Sequence, residues 1–185
     1  MNAPRNEWIT AEQLYEMPDD GIRRELLRGF LVAEPVPVRL HGRTIANIAS
    51  LLKTFVKSTR SGVVYAADTG FVLARDPDTV RGPDVAFVTD QRERLAGSDA
   101  PYFPGAPDLA IEVLSPSERV KEVLGIVSDY LAAGSRLVWV VDPVREEVQV
   151  IRSPLTPRVL AADDVLDGED VLPGFSARVS ELFEI

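Results

Sequence analysis

Three carboxylate side chains stand in stretches of the sequence that otherwise read as apolar. Glu25 lies inside RRELL, Asp84 directly precedes VAFV, and Glu112 lies inside LAIEVL. A carboxylate in a packed strand costs several kcal/mol unless it is paired, hydrogen-bonded or bound to a cation. Each residue alone has a simpler structural interpretation, as a turn cap or as the partner of an arginine. Three such residues in one small chain favour a shared site.

The chemistry of that site follows from the residue types the chain contains. Asp84 and Glu112, if neighbouring strands bring them together, form a site of hard oxygen ligands that suits Mg²⁺ or Mn²⁺. The chain has no cysteine and one histidine, His41, which excludes thiolate sites and two-histidine zinc sites within one chain. A divalent ion held this way can polarise a phosphate and lower the pKa of a bound water. The residues therefore predict a candidate divalent-metal site that could act on a phosphate group.

Two further acids near the candidate site have simpler interpretations. Asp108 shares a strand face with Ala110 and Glu112, because successive side chains of a strand alternate between faces. It follows Pro107 at the entrance of the strand, so we expect it to be exposed and at most a helper. Asp142, in VVDP, is expected to cap a turn.

The patterns around these acids predict one α/β domain over residues 1–185, a mixed sheet flanked by helices. Thr10 and Gln13 form a capping-box pattern for a short helix over about 11–16. The segment HGRTIANIASLLKTFVKS has apolar residues at helical spacing and predicts an amphipathic helix of about four turns. Another helix is predicted over about 118–133, ended by Gly134, and a polar loop over about 90–107. Strands are predicted in RRELLRGFLVAEP, with a joint near Arg28 and Gly29, at about 63–66, 69–74, 84–88 and 108–114, and in RLVWVVDP and EEVQVIRS. A last strand or turn and a short helix are expected at the end.

Charge is distributed unevenly along the chain. The net charge is −9, which argues against bulk attraction to nucleic acid. Residues 21–81, however, hold ten Lys or Arg against five Asp or Glu. We expect this segment to contact nucleic acid, with DNA as the expected substrate; a merely solvated helix face is the alternative. A homodimer is also expected, since enzymes that cut two strands often pair.

The first residues, MNAPRNEWIT, contain no apolar signal segment, and no apolar run approaches the roughly 18 residues that a membrane span needs. We therefore expect a cytoplasmic protein.

An ordered set of motifs resembles the Uma2 family of restriction endonuclease-like proteins, within the PD-(D/E)xK nuclease superfamily. The motifs span about residues 20–145: RRELLRG, LHGRTIANIASLL, VRGPDVAFV, PDLAIEVLSPS and DYLAAGSRLVWVVDP. The resemblance implies a restriction endonuclease-like core with a metal-dependent phosphodiester-cleaving site. It implies that Asp84, Glu112 and the backbone carbonyl of Val113 hold the metal, with Glu25 assisting. It also places a histidine at the start of the long helix, where His41 would contact phosphate or cap the helix.

The sequence departs from this pattern at the expected lysine. The superfamily motif has a lysine two residues after the second acid, where this chain has Leu114. Uma2-like proteins carry one on the following helix instead, and here that position is Ile126. Such a lysine stabilises the charge that develops on the phosphate. The alternative hypothesis is therefore a nuclease-fold binding or scaffolding module that has lost activity; a small-molecule-binding domain has no motif behind it.

Overall fold

The computed structural model describes residues 8–34, 36–66, 69–97, 99–115 and 120–185. The helices in these residues are α1 (Ala11–Tyr15), α2 (Arg39–Thr59), α3 (Asp90–Ala96) and α4 (Val120–Ala132), with a 3₁₀ turn at Val179–Leu182. The strands are β1 (Arg24–Leu27), β2 (Phe30–Ala33), β3 (Gly62–Ala66), β4 (Phe71–Ala74), β5 (Thr79–Arg81), β6 (Val85–Thr89), β7 (Phe103–Pro104), β8 (Leu109–Val113), β9 (Leu137–Asp142), β10 (Glu147–Ile151), β11 (Arg158–Leu160), β12 (Val165–Gly168) and β13 (Leu172–Arg178).

The central sheet has the strand order β11-β10-β9-β8-β6-β3. Strands β8 and β9 run parallel, and α4 is the crossover that connects them, while the other neighbours in this sheet are antiparallel. The nearly all-apolar β9 lies inside the sheet, as its composition predicts, because a strand covered on both faces needs no polar side. The mixed α/β fold predicted from the sequence is confirmed.

The two faces of β8 pack against different helices. Leu109, Ile111 and Val113 join the large buried cluster that includes the inner face of α2. Ala110 faces the other way and packs in a second cluster with Val127 and Tyr130 of α4. Glu112 lies on the face of Ala110 because side chains alternate, so it points to the side that α4 covers.

None of the helices within the described residues is long and apolar enough to span a membrane.

A second sheet, with the order β2-β1-β5-β4-β7, carries the N-terminal residues. Strands β1 and β2 form the predicted hairpin, with Arg28 and Gly29 both at positive φ in its turn. The predicted capping box of α1 is confirmed, since Thr10 Oγ1 accepts from the Gln13 amide and Gln13 Oε1 accepts from the Thr10 amide. This sheet brings β1 and β5 toward the central sheet, and with them Glu25 and Arg81.

The structure differs from the predicted elements at several places. The predicted loop over about 90–107 contains α3 and β7, so the loop assignment is wrong there. Helix α3 has no buried residue, and its Leu95 is 79% exposed, so no apolar periodicity marks it. Strands β5 and β11 span three residues each and are too short to show an alternating pattern. The predicted start of the helix over about 118–133 falls partly on residues 116–119, which lie outside the described residues.

Candidate active site

Asp84 lies at the entrance of β6, beside the end of β8 that carries Glu112. The antiparallel register pairs Val85 with Ile111, which brings Asp84 level with Glu112 on the adjacent strand. Asp84 Oδ2 accepts a hydrogen bond of 2.7 Å from the amide of Val113. The Asp84 residue is only 5% exposed. The topology therefore makes neighbours of two acids that are 28 positions apart in the sequence.

His41 contacts the same oxygen of Asp84 as the Val113 amide. Its Nε2 atom lies 3.2 Å from Asp84 Oδ2, and both side chains are buried. His41 is the third residue of α2, whose N-cap is Val38, and Val38 makes no side-chain capping bond. The interpretation of His41 as a helix cap is therefore wrong. The long helix is fixed at its start to the acid of β6 through this contact.

Glu112 is oriented by Tyr130 of α4. The fully buried Tyr130 hydroxyl donates a 2.7 Å hydrogen bond to Glu112 Oε1. Removal from water raises the pKa of Glu112 well above its ordinary value, and the negative charges of Asp84 and Glu25 raise it further. The Tyr130 hydrogen bond and the charge of Arg81 oppose that rise. Glu112 is thus a carboxyl group whose ionised form lacks sufficient positive charge nearby.

Glu25 of β1 faces a cation. Its Oε2 accepts from Arg81 NH1 at 2.6 Å, and its Oε1 accepts from the Gly82 amide at 2.7 Å. Arg81 also binds Asp129 Oδ2 of α4 through NH2 at 2.7 Å. Removal from water would lower the pKa of Arg81, but the charges and hydrogen bonds of Glu25 and Asp129 outweigh it and raise that pKa. Glu25 therefore pairs with an arginine, as its structural interpretation expects. Its negative charge also raises the pKa of Glu112.

The three predicted carboxylates do not form one closed cradle. Across the described residues, no group of three or more His, Cys, Asp or Glu side chains could hold a metal ion. Asp84 and Glu112 are the adjacent pair, whereas Glu25 is turned to Arg81. The pair fits Mg²⁺ or Mn²⁺ in donor chemistry, since Mg²⁺ is commonly held by one or two carboxylates, with waters and substrate phosphate completing its shell. The Val113 carbonyl stays a predicted third oxygen.

The two other acids have structural partners. Asp108 is 3% exposed, so the expectation that it is exposed is wrong. Its Oδ2 accepts from the Thr89 amide at 2.9 Å, and Arg92 NH1 lies 3.4 Å from its Oδ1. It lies at the opposite end of β8 from Glu112, roughly 13 Å along the strand. Asp142 accepts from the amides of Val144 and Arg145, which confirms the predicted turn cap.

The position expected for the family lysine belongs to the core. Ile126 packs against the buried cluster that contains Val127 and Tyr130, as the spacing of apolar residues in this helix predicts. Arg119 and the side chain of Lys121 lie outside the described residues. Of the arginines beside Glu25 and Asp84 in the sequence, Arg24 is bound to Asp20, and the positive charge of Arg81 lowers the pKa of Glu112.

Sequence reasoning missed two contributors to this site. The apolar spacing in its helix marks Tyr130 only as a core residue, yet its hydroxyl is the group that contacts Glu112. Asp129 is the second carboxylate, beside Glu25, that binds Arg81. The available signal was the polar pair Asp129-Tyr130 before the apolar LAA segment, since a buried tyrosine needs a partner for its hydroxyl.

The fold is thus a mixed α/β sheet with Asp84 directly before β6 and Glu112 within β8. The chain resembles the crystal structure of "a putative nuclease belonging to DUF820" from Anabaena variabilis, with a TM-score of 0.80 and 23% identity, over 95% of this chain and 97% of that chain. At this identity the likeness concerns the fold alone.

The family model of Uma2, described as "Putative restriction endonuclease", matches residues 11–180. The chain belongs to the Uma2 family, which confirms the resemblance seen in its motifs. The comparison with curated proteins gave no match.

Proposed function

We propose that the protein is a divalent-metal-dependent endonuclease that hydrolyses phosphodiester bonds in nucleic acid. The observation that carries this proposal is the juxtaposition of Asp84 and Glu112. Removal from water raises the pKa of Glu112, and the negative charge of Asp84 on the adjacent strand raises it further. Such an arrangement is costly as a purely structural feature, since within the described ranges neither acid forms an ion pair with an arginine. A bound cation would relieve that cost.

Asp84, Glu112 and the carbonyl of Val113 would hold the metal. When bound, Mg²⁺ or Mn²⁺ would polarise the phosphate and lower the pKa of a water. The protein's own contribution is to fix its ligands: His41 and the Val113 amide hold Asp84, and Tyr130 holds Glu112. Ligands held by a second layer of hydrogen bonds keep their orientation before the metal arrives.

In this proposal Glu25 assists the two metal ligands through its charge and through the groups that it holds. Its oxygens hold Arg81 and the amide of Gly82, two residues before Asp84. Arg81 in turn brings positive charge to Glu112, the reverse of the effect of Glu25 itself. The Glu25–Arg81 pair thus sets the electrostatic potential around the two metal ligands.

The test compares DNA cleavage with metal binding. Wild-type protein is incubated with supercoiled plasmid and Mg²⁺ or Mn²⁺, beside Glu112→Gln and the surface control Asp163→Asn. We expect nicking by the wild type and the control, and none by Glu112→Gln or in the presence of a chelator. Calorimetric titration with Mn²⁺ should show binding that Glu112→Gln loses. Wild-type protein that neither binds Mn²⁺ nor nicks DNA contradicts the proposal.

A second candidate function is a nuclease-fold module that binds nucleic acid without cutting it. Ile126, at the position of the family lysine, favours this candidate because it is packed into an apolar cluster. The variant Ile126→Lys separates the two. Cleavage that appears only in Ile126→Lys supports the inactive module, whereas cleavage already present in the wild type supports the enzyme.

A further inference from the structure

Helix α2 carries a one-sided strip of positive charge. Its 21 residues include Arg39, Arg43, Lys53 and Lys57 and no Asp or Glu, in a chain whose net charge is −9. At 3.6 residues per turn these four cations fall within an arc of about 80° around the helix axis. The buried residues of α2, from His41 to Val56, centre on the opposite side. We call these four residues the α2 strip.

The α2 strip is not neutralised by the protein. Elsewhere in the basic segment, Arg24, Arg75 and Arg81 have carboxylate partners. For the four strip residues, by contrast, the described part of the chain offers no ion pair within 4.0 Å. The contrast matters because unpaired cations aligned on one face repel one another, so the strip favours a polyanionic ligand.

The strip starts at the end of α2 that carries His41, but on the outer side of the helix. Arg39 and Arg43 each lie about 160° around the helix axis from His41, which contacts Asp84. From Arg39 to Lys57 the helix rises about 27 Å. At 3.4 Å per nucleotide this length matches roughly eight base pairs of duplex. The residues between, Ala46 and Ser50, are small and exposed, so a phosphate backbone can approach the helix surface.

We infer that the α2 strip is the track for the phosphate backbone of duplex DNA. The inference rests on the proposed function for the class of ligand, and it narrows the predicted contact segment 21–81 to one helix face. Contacts of this kind are made to phosphates and carry no base sequence, so the strip sets affinity and register and leaves sequence preference to other residues.

The salt dependence of binding tests the strip without requiring catalysis. A fluorescent duplex of about 20 base pairs, longer than the strip, is titrated with protein in a chelator at several salt concentrations. The strip variant is Arg39→Gln with Lys53→Gln and Lys57→Gln. The control variant, Arg94→Gln with Arg145→Gln and Arg158→Gln, removes the same charge from exposed arginines that have carboxylate partners. Thermal unfolding confirms that each variant is folded.

Each phosphate contact contributes about 0.9 to the slope of log K against log salt, so the strip variant should lose about 2.7 from the slope of the wild type. The control should keep that slope. An unchanged slope in the strip variant, an equal loss in the control, or no DNA binding by the wild type overturns the inference. Binding to phosphatidylserine vesicles instead of DNA would assign the strip to a membrane and also overturn it. A wild type that binds DNA along the strip but never cuts contradicts the proposed function alone.

Discussion

The charge state of Glu112 controls the stability of the metal-free protein, and the substitution Glu112→Gln exposes this directly. Glutamine has nearly the same shape and keeps an oxygen to accept the Tyr130 hydroxyl. The pKa of Glu112 is raised above its ordinary value of 4.5 by removal from water and by the charges of Asp84 and Glu25. Below pH 4.5 both the folded and unfolded states hold the proton. As the pH rises above 4.5 only the unfolded state releases it, so stability is lost progressively until the folded-state pKa is passed.

The size of the effect has an upper bound. Holding one proton against an unfolded pKa of 4.5 costs about 1.4 kcal/mol for each pH unit above that value, so the cost at pH 7 stays below about 4 kcal/mol. The Tyr130 hydrogen bond and Arg81 stabilise the ionised form and reduce the cost. We expect Glu112→Gln to be more stable than the wild type by about 1–3 kcal/mol at pH 7. For a chain of this size that gain raises Tm by about 2–12 °C.

The assay is thermal unfolding in a chelator from pH 4.5 to pH 8. The difference between Glu112→Gln and wild type should grow with pH, and the exposed control Asp163→Asn should show no such trend. Addition of Mn²⁺ should stabilise the wild type and not Glu112→Gln, because a ligand that binds only the folded state raises its stability. A difference that stays flat from pH 4.5 to pH 8, or a glutamine variant less stable at pH 8, would refute the reasoning.

Three further substitutions have expected outcomes. Arg81→Met should lower the unfolding free energy by about 3–5 kcal/mol in denaturant titrations, because it leaves the buried Glu25 with only one amide partner. Adding Glu25→Gln should restore a large part of the lost unfolding free energy, and no restoration would contradict the pairing. Tyr130→Phe should weaken Mn²⁺ binding about 10–100-fold by calorimetry, since Glu112 loses its orienting hydroxyl; unchanged affinity would show that the hydroxyl does not position the ligand. Val38→Ser should raise stability by about 1 kcal/mol in thermal unfolding, because the N-cap of α2 has extended backbone angles but no side-chain capping bond; a loss of stability would contradict that assignment.

The elements that position the site were predictable where periodicity is strong. The inner face of α2, the alternation of β8 and the apolar run of β9 each follow from burial on a defined face. Helix α3 was not predictable, because it buries no residue and so has no apolar stripe. Strand β5 was missed for a different reason: three residues cannot display a period of two, although this strand carries Arg81.

The acidic residues of the site were predictable from the sequence, but their contacts were not. Asp84, Glu112 and Glu25 stand out because each is a charge in an apolar context, and that contrast can be read from the sequence. Which side chains contact them depends on tertiary packing. Tyr130 and Asp129 come from the helix after β8, and Arg81 from a different sheet, so their contacts with the acids depend on how separate elements pack. The expectation that Asp108 is exposed is wrong because its partners, the Thr89 amide and Arg92, lie in a segment predicted as a strand end and a loop.

His41 has a practical consequence because it is the only imidazole in the chain. Its Nε2 atom lies 3.2 Å from Asp84 Oδ2, so its ring proton resonances would report on this buried contact without site-specific assignment. The lack of cysteine adds a second advantage, since a single thiol introduced anywhere carries a spin label with no background. Paramagnetic broadening of one ring signal would then measure how far any chosen point of the surface lies from the acid of β6.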